Sequence, residues 1–523
     1  MNAQRLRKTC RMTSEARMPD PRTPAAGATP TLPPALVDAL VQRLASSPPT
    51  APSTTFALFD REGVLLHHSI GEHGTDGRPP ALGTVYRIAS MSKSVEAAAV
   101  LVLRDRGLLD LDDLVSAHVP EFADPVDDGS VVPVTLRMLL TNCSGLPEDN
   151  GWADHVMGMT RDEFLAVVAR GLAFTERPGG VYQYSNIGFW LLGVVVENLT
   201  GQTFAEFATC ALLEPLGLDD TRYAVSDYDD DDDVARGFST YDEGATWVER
   251  PVVASGAGAC AASLFSTVTD IARWSAWLSS AFDPAESGDA VLSRASRREM
   301  QRGATIMPSI TDRSAEGRAE GTAYGMGLVL EQDVRFGAIA QHSGGLPGWS
   351  SNMRWHLASG IGVVVFANAD GAKLGPTAAA LLRAALEEFE PPAREIVLLP
   401  STVEAARAIE AAIASGDLTD ASALFSPNLL SDVPAEVRAR RLAAAIAEVG
   451  GLADEPRPLA DRLLWSASAA QLSFAVPGRE GELECRFEMT PTTPALVQRL
   501  VIVKREPTTP LSPVTRSYRP RLP

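Results

Sequence analysis

The sequence predicts an α+β protein, and three observations lead there. Strand-like runs stand at both ends of residues 35–390 with a mostly helical block between them, an order that builds one sheet from the two ends of a domain and packs helices around it. The proline pair in Glu390-Pro391-Pro392 then breaks the pattern. Beyond it, in Glu482-Leu483-Glu484-Cys485-Arg486-Phe487-Glu488-Met489, every second residue is apolar, which is the period of a half-buried strand in a separate, small α+β domain.

Residues 1–34 are rich in Pro, Arg, Thr and Ala without periodicity and read as a disordered tail, with Met12 and Met18 as alternative starts. The main domain, 35–390, opens with a helix over Ala35–Leu44 and strands over Thr54–Asp60 and Gly63–Ile70. A helix opening near Ser90 continues through the Ala-, Val- and Leu-rich residues 95–109, and further helices are predicted over Arg161–Leu172, Asn186–Thr200 and Thr267–Leu278. Strand character returns at Met326–Glu331, Gly337–His342, Asn352–Leu357 and Ile361–Asn368, followed by a helix at Thr377–Phe389. Residues 391–400 read as linker. The second domain, 401–510, has helices at Val403–Ala414 and Ala435–Val449 before its strands, with Pro477-Gly478-Arg479-Glu480-Gly481 as a turn, and 511–523 reads as a tail. The acidic run Asp229 to Asp233 lacks the spaced ligands and glycine turn of a calcium loop and reads as solvated.

With 523 residues, 45% of them hydrophobic and 21% charged, the chain has ample material for two cores. A formal charge of −20 argues against nucleic acid or an anionic membrane as partner. The five cysteines are widely spaced and odd in number, which fits a reducing compartment, and neither they nor the histidines have metal-ligand spacing, so no metal or cofactor is expected. The basic residues Arg5, Arg7, Lys8 and Arg11 are not followed by an apolar stretch, and no apolar run is long enough to span a bilayer; a soluble, cytoplasmic protein is expected.

Only four of the forty-six basic residues are lysines, and Lys93 stands three residues after Ser90. Arginine stays protonated, whereas a buried ammonium can lose its proton, so a lysine kept in an arginine-biased chain suggests proton transfer. On a helix this spacing puts both side chains on one face, with Ser90 at the N-terminus where free N–H groups stabilise an oxyanion. A second stretch, Tyr182-Gln183-Tyr184-Ser185-Asn186, precedes an apolar helix. Beside a cationic lysine, Tyr184 is expected to have a lowered pKa and to act as a base, and Asn186 to bond both a substrate amide and the lysine. A third, Gln341-His342-Ser343-Gly344-Gly345, ends a strand, where small residues let a substrate lie along the strand edge and a free N–H donate to an oxyanion.

In this order and on these elements, the three stretches resemble the serine β-lactamase and penicillin-binding-protein superfamily, and most nearly its class C-like branch of D,D-peptidases, D-aminopeptidases and family VIII carboxylesterases. Residues 107–113, 135–147, 214–218, 266–273, 324–327 and 344–348 match as well, so the likeness covers about 36–390. It implies an antiparallel sheet flanked by helices with a mostly helical insert. It also implies Ser90 as nucleophile, Lys93 and Tyr184 sharing the base role, and Asn186, His342, Ser343, Gly344 and Gly345 facing the substrate, with the N–H groups of Ser90 and Gly345 as oxyanion hole. Two positions depart: His342 stands where β-lactamases have lysine, so a neutral imidazole is expected to donate a hydrogen bond to the substrate, and Asn142-Cys143 replaces the commoner His-Thr, read as packing. The leading reading is a hydrolase of small esters or amides. Alternatives are a D-amino-acid amidase, D-aminopeptidase or D,D-peptidase, a β-lactamase, and a catalytically silent ligand-sensing pocket. The second domain resembles the cone-shaped nuclear-transport-factor-like fold, which leaves a homo-oligomer through it open.

Overall fold

The computed structural model describes residues 32–505 and 519–523, apart from 47–49, 75–76, 230, 287, 289, 309–318, 334, 390–394 and 455–456. The chain divides into two compact units, Met1–Pro391 and Pro392–Pro523. Of the expected N-terminal tail, residues 1–31 lie outside the described residues, and Pro34 already belongs to a helix.

In the first unit, helix α1 (Pro34–Ser46) leads into strands β1 (Ser53–Phe59) and β2 (Val64–Gly71). The central block contains α2 (Ser92–Asp105), α3 (Asn186–Thr200) and α4 (Val268–Ser280). Six strands follow: β3 (Thr305–Ile306), β4 (Ala319–Tyr324), β5 (Val329–Asp333), β6 (Gly337–Leu346), β7 (Trp349–His356) and β8 (Gly362–Ala367), and then α5 (Leu374–Phe389). They form one antiparallel sheet in the order β2-β1-β8-β7-β6-β5-β4-β3, so the two ends of the unit meet where β1 pairs with β8, Phe56 opposite Val365.

Both faces of this sheet are covered, which is why β8 (Gly362–Ala367) and the Phe56–Phe59 end of β1 read as unbroken apolar runs. Phe56, Leu58, Val363 and Val365 pack with Leu36, Leu40 and Leu44 of α1 and Leu381 of α5. Ala57, Phe59, Val364 and Phe366 turn the other way, into the larger core shared with α2, α3 and α4. Each Val, Leu or Phe side chain among them contributes about 1.5–3 kcal/mol of burial. Strands β3 and β4 were not foreseen: Ala319-Glu320-Gly321-Thr322-Ala323-Tyr324 has only Ala and Gly, no large apolar residue, at its alternate positions and sits near the sheet edge.

In the second unit, β9 (Glu395–Val397) precedes α6 (Pro400–Ser415) and α7 (Ala435–Glu448). Strands β10 (Leu463–Trp465), β11 (Gln471–Gly478), β12 (Gly481–Met489) and β13 (Val497–Lys504) make a sheet in that order, and β14 (Arg519–Arg521) pairs in parallel with β9. Stretches expected as linker and tail therefore supply two strands. The alternation in β12 points inward as the sequence implies, with Leu483, Cys485, Phe487 and Met489 buried against Ile409, Ile413 and Leu442 of the helices. No helix among the described residues is long and apolar enough to cross a membrane.

Candidate active site

The sequence reading placed Ser90 at a helix N-terminus; the α-helix instead begins at Ser92, and Ser90 lies inside a tight 3-10 turn, Ala89–Met91. Ala89 takes the left-handed conformation, φ 49°, which costs a non-glycine residue about 1–2 kcal/mol and persists only where its surroundings hold it. They do. Ser92 Oγ donates to the Ala89 carbonyl at 2.7 Å, Ser351 Oγ of β7 donates to the Ile88 carbonyl at 2.7 Å, and the Ile88 N–H donates to the Leu264 carbonyl at 2.9 Å. The turn lifts Ser90 to the edge of the core, where it is 9% exposed.

Lys93, one turn further on, is 0% exposed. Its ammonium donates to Ser90 Oγ at 3.2 Å, to Asn186 Oδ1 at 2.7 Å and to the Ala261 carbonyl at 3.3 Å, and lies 4.9 Å from the centre of the Tyr184 ring. Burial disfavours its charged form and brings its pKa down to about 8, against the pull of Glu96, Asp149 and Asp154. The amine thus titrates near neutrality, beside the serine oxygen.

Tyr184 is brought to the same spot, with its hydroxyl hydrogen-bonded to Ser90, but the expected lowering of its pKa is overturned. Desolvation of the phenolate outweighs the bond from Ser90, and the nearby carboxylates Asp154, Asp149 and Glu148 push the same way as burial. The phenol keeps its proton. Its backbone is framed by Asn142, in the left-handed conformation (φ 52°) that asparagine tolerates: the Gln183 N–H donates to the Asn142 carbonyl at 2.9 Å and the Ser185 N–H to Asn142 Oδ1 at 3.1 Å. Asn142, read from sequence as packing, orients Tyr184.

Asn186 is at the start of α3, and its side chain is fully engaged within the protein. Its Nδ2 donates to Asp149 Oδ1 at 2.9 Å and to Asn150 Oδ1 at 2.8 Å, while its Oδ1 receives Lys93. Both amide hydrogens being used, Asn186 holds Lys93 rather than a substrate amide, a correction to the expected role. Asp149 caps the helix, its carboxylate accepting from the N–H groups of Asn186 at 2.8 Å and Ile187 at 2.9 Å and from Ser185 Oγ at 3.2 Å. Sequence reasoning missed Asp149, which no local pattern marks.

On β6 the third stretch divides between the sheet faces. His342 is 3% exposed, and its Nδ1 lies 2.6 Å from the Ser343 carbonyl and its Nε2 3.2 Å from the Tyr324 hydroxyl. A carbonyl only accepts, so Nδ1 carries the proton and Nε2 accepts from Tyr324. Burial, then the Lys93 charge, lowers the His342 pKa to about 3, so it is neutral as expected, but its one N–H is used internally and does not reach toward a substrate. Ser343 faces away from this cluster, its Oγ accepting from Asn352 Nδ2 at 2.8 Å.

Gly344 has no room for a side chain: a Cβ would meet the Ile88 carbonyl oxygen at 2.2 Å and Ser351 Oγ at 2.3 Å, so glycine lets β6 press against the serine turn. Gly345 beside it is exposed, with nothing within 4 Å of where a Cβ would stand. Pairing of β6 with β5 ends at Gln341 while pairing with β7 continues to Leu346, leaving the end of β6 bordered on one side. Behind α2, Gly327 allows the segment after β4 to approach the Lys93 carbonyl oxygen, which a Cβ would meet at 2.4 Å. Among the described residues, no group of three or more His, Cys, Asp and Glu side chains is arranged to hold a metal ion.

Comparison with known proteins agrees with this architecture. A family model described as β-lactamase matches residues 37–387. Penicillin-binding protein 4* of Bacillus subtilis (strain 168) is 29% identical over 305 residues, covering 55% of this chain and 62% of the relative. The chain thus spans about three fifths of the length of the curated relatives it matches. Among solved structures, the octameric penicillin-binding protein homologue from Pyrococcus abyssi superposes with a TM-score of 0.58 at 19% identity, covering 90% of this chain and 99% of that one. A D-amino acid amidase from Ochrobactrum anthropi SV3 does so with a TM-score of 0.52 at 23% identity, over 68% and 99% of the two chains. With the family model spanning most of the chain, and the serine, lysine and tyrosine clustered as described, the protein belongs to the β-lactamase family, within the β-lactamase and penicillin-binding-protein superfamily.

Proposed function

We propose that the protein is a serine hydrolase that cleaves small esters or amides through an acyl-Ser90 intermediate. One observation carries this reading: a fully buried lysine amine, titrating near neutrality, is bonded to the hydroxyl of a serine on a strained turn. Neutral Lys93 takes the Ser90 proton as Oγ attacks the carbonyl carbon, the Ser90 and Gly345 N–H groups receive the oxyanion, and the scissile C–O or C–N bond breaks as the leaving group regains a proton. Tyr184, keeping its own proton, donates to the departing atom and is reprotonated from Lys93. Water then repeats the cycle on the acyl ester. A fluorophosphonate probe should add its mass to the peptide holding Ser90 and leave Ser90→Ala unlabelled; labelling at another residue would reject the assignment.

Substrate choice follows from the lack of a cation at position 342. Where a lysine would attract a substrate carboxylate, this site offers a buried neutral imidazole, which favours uncharged esters and amides over carboxylate-bearing β-lactams. A short-chain nitrophenyl ester should be turned over faster than a chromogenic cephalosporin. Preference for D-alanine nitroanilide over the ester would support the amidase alternative, in line with the D-amino acid amidase likeness. Failure of all three, with Ser90 unlabelled, would leave a silent ligand-sensing pocket. A cytoplasmic location, a cone-shaped second unit and association of copies through that unit are further parts of this proposal, the last supported by the octameric relative that spans most of the chain.

A further inference from the structure

In α2, which is buried on every side from Ser92 to Leu103, stands a carboxylic acid. Glu96 is 0% exposed, and neither of its side-chain oxygens has a full hydrogen-bond partner among the described residues. The polar groups facing it are the Cys260 thiol and the Gly193 N–H. Gly193 leaves the space for this arrangement, since a Cβ there would come within 2.8 Å of Cys260 Sγ and 3.8 Å of Glu96 Oε1. Packing alone would place an apolar residue here: an unpartnered carboxylate in such surroundings costs several kcal/mol. What distinguishes the position is Lys93, three residues earlier on the same helix and equally buried.

We propose that Glu96 is a positioning residue for the acylation step: its carboxyl group and the Lys93 amine hold protons as a coupled pair, so the charge on Glu96 decides how much of Lys93 stands as free amine. This inference rests on the reading of Lys93 as the base. With both groups protonated, the pair carries one positive charge. Loss of one proton gives either an ammonium–carboxylate pair, which cannot deprotonate Ser90, or an amine beside a neutral acid, which can; the two share one macroscopic titration. An ionised Glu96 stabilises the ammonium and delays the base, and a protonated one releases it. Burial raises the Glu96 pKa well above the carboxylate range, against the pull of Lys93. The other titratable groups that face the pair are Cys260 from the helix Ala259–Ala262, Tyr223, Tyr324 at the end of β4, Tyr184 and His342 beside the Lys93 amine, and Asp149 and Asp154 near Lys93. Burial raises the thiol and the phenols and lowers the imidazole, which keeps them neutral, so Glu96 and Asp154 are the groups whose charge can vary.

The test is the pH dependence of Ser90 labelling by a fluorophosphonate in the full-length protein, compared between wild type, Glu96→Gln and Glu96→Met. The two variants remove the acid, one as an isostere and one as an apolar side chain of similar volume that tolerates burial if Gln does not. In whichever folds, the acid limb should move down by about one pH unit, so that labelling below the limb quickens roughly tenfold, and Glu96→Asp should return the limb toward its wild-type position. A limb that stays in place in a folded, labelled variant overturns the coupling and leaves Glu96 a packing residue. Absence of Ser90 labelling in the wild type would instead overturn the reading on which the inference rests.

Discussion

At the scale of single residues, the site depends on where a proton can leave. Lys93 is the group whose charge changes near neutrality, and the sign is set by burial: below about pH 8 it is an ammonium and cannot accept the Ser90 proton, above it the amine is free. Labelling of Ser90 should therefore rise with pH through about 8 and level off, and Lys93→Arg, which keeps the charge but not the removable proton, should slow it by about 10² or more. A flat profile in the wild type would show that Lys93 acts only as a charge. The same burial affects stability. Between about 8 in the folded chain and 10.5 for an ordinary lysine, the unfolded state binds more protons, so Lys93 makes the protein more stable as pH rises across that window. His342 belongs to a different class of residue, one that supports without touching substrate. Replacing it by Ala leaves the Tyr324 hydroxyl without its acceptor and opens a cavity, which should cost about 2 kcal/mol in urea unfolding. The ratio of ester to cephalosporin kcat/KM should not move, whereas a side chain that met the substrate would change it.

At the scale of elements, the serine turn and the end of β6 form one device. The turn is strained at Ala89, and it is held by Ser92 from its own helix and Ser351 from β7. Strand β6 closes on it because residue 344 has no side chain. Gly344→Ala should displace the strand from Ser90, costing about 1–3 kcal/mol of stability by overpacking and lowering the labelling rate more than the change in melting temperature would imply. An unchanged labelling rate would mean that the distance from β6 to the turn does not matter for acylation. Much of this device was legible in the sequence. Ser90 and Lys93 announced themselves by helical spacing, and the apolar helix after Asn186 was read with the ends it has. The strain at Ala89 was not legible, because Ala89-Ser90-Met91 contains no residue that prefers a left-handed conformation; the conformation is imposed by contacts from segments far away in the chain.

At the scale of the whole molecule, the two units have separate cores, one gathered around α2 and α3 and one between α6, α7 and the β10–β13 sheet. The second unit begins at β9, since Glu395–Val397 pairs with Arg519–Arg521 and the Leu398 N–H donates to the Arg521 carbonyl at 3.0 Å. Limited proteolysis should therefore cut before Glu395 and leave two resistant fragments, with the smaller one retaining the C-terminal strand. Even cleavage across residues 400–506 would mean that this region does not fold as an independent unit. Removing residues 519–523 should destabilise the smaller fragment, because β9 loses its partner and Leu522 its place against the core.

Sequence by itself determined the α+β class, the strand and helix periods, the break near Pro391 and the Ser90–Lys93 pair. These depend on local spacing and on which residues are apolar, and both are written along the chain. Tertiary structure decided what each polar group is paired with, and so its role. Tyr184 was expected to be acidified by Lys93, yet it lies where loss of solvent outweighs the nearby charge. Asn186 and His342 were expected to meet a substrate, yet Asp149, Asn150, Tyr324 and the Ser343 carbonyl take up their hydrogen bonds. Asp149, Asn142 and Glu96 carried no motif at all. Burial and hydrogen-bond partners are supplied by segments distant in sequence, and a pKa or a free donor is a property of that assembled environment rather than of the residue.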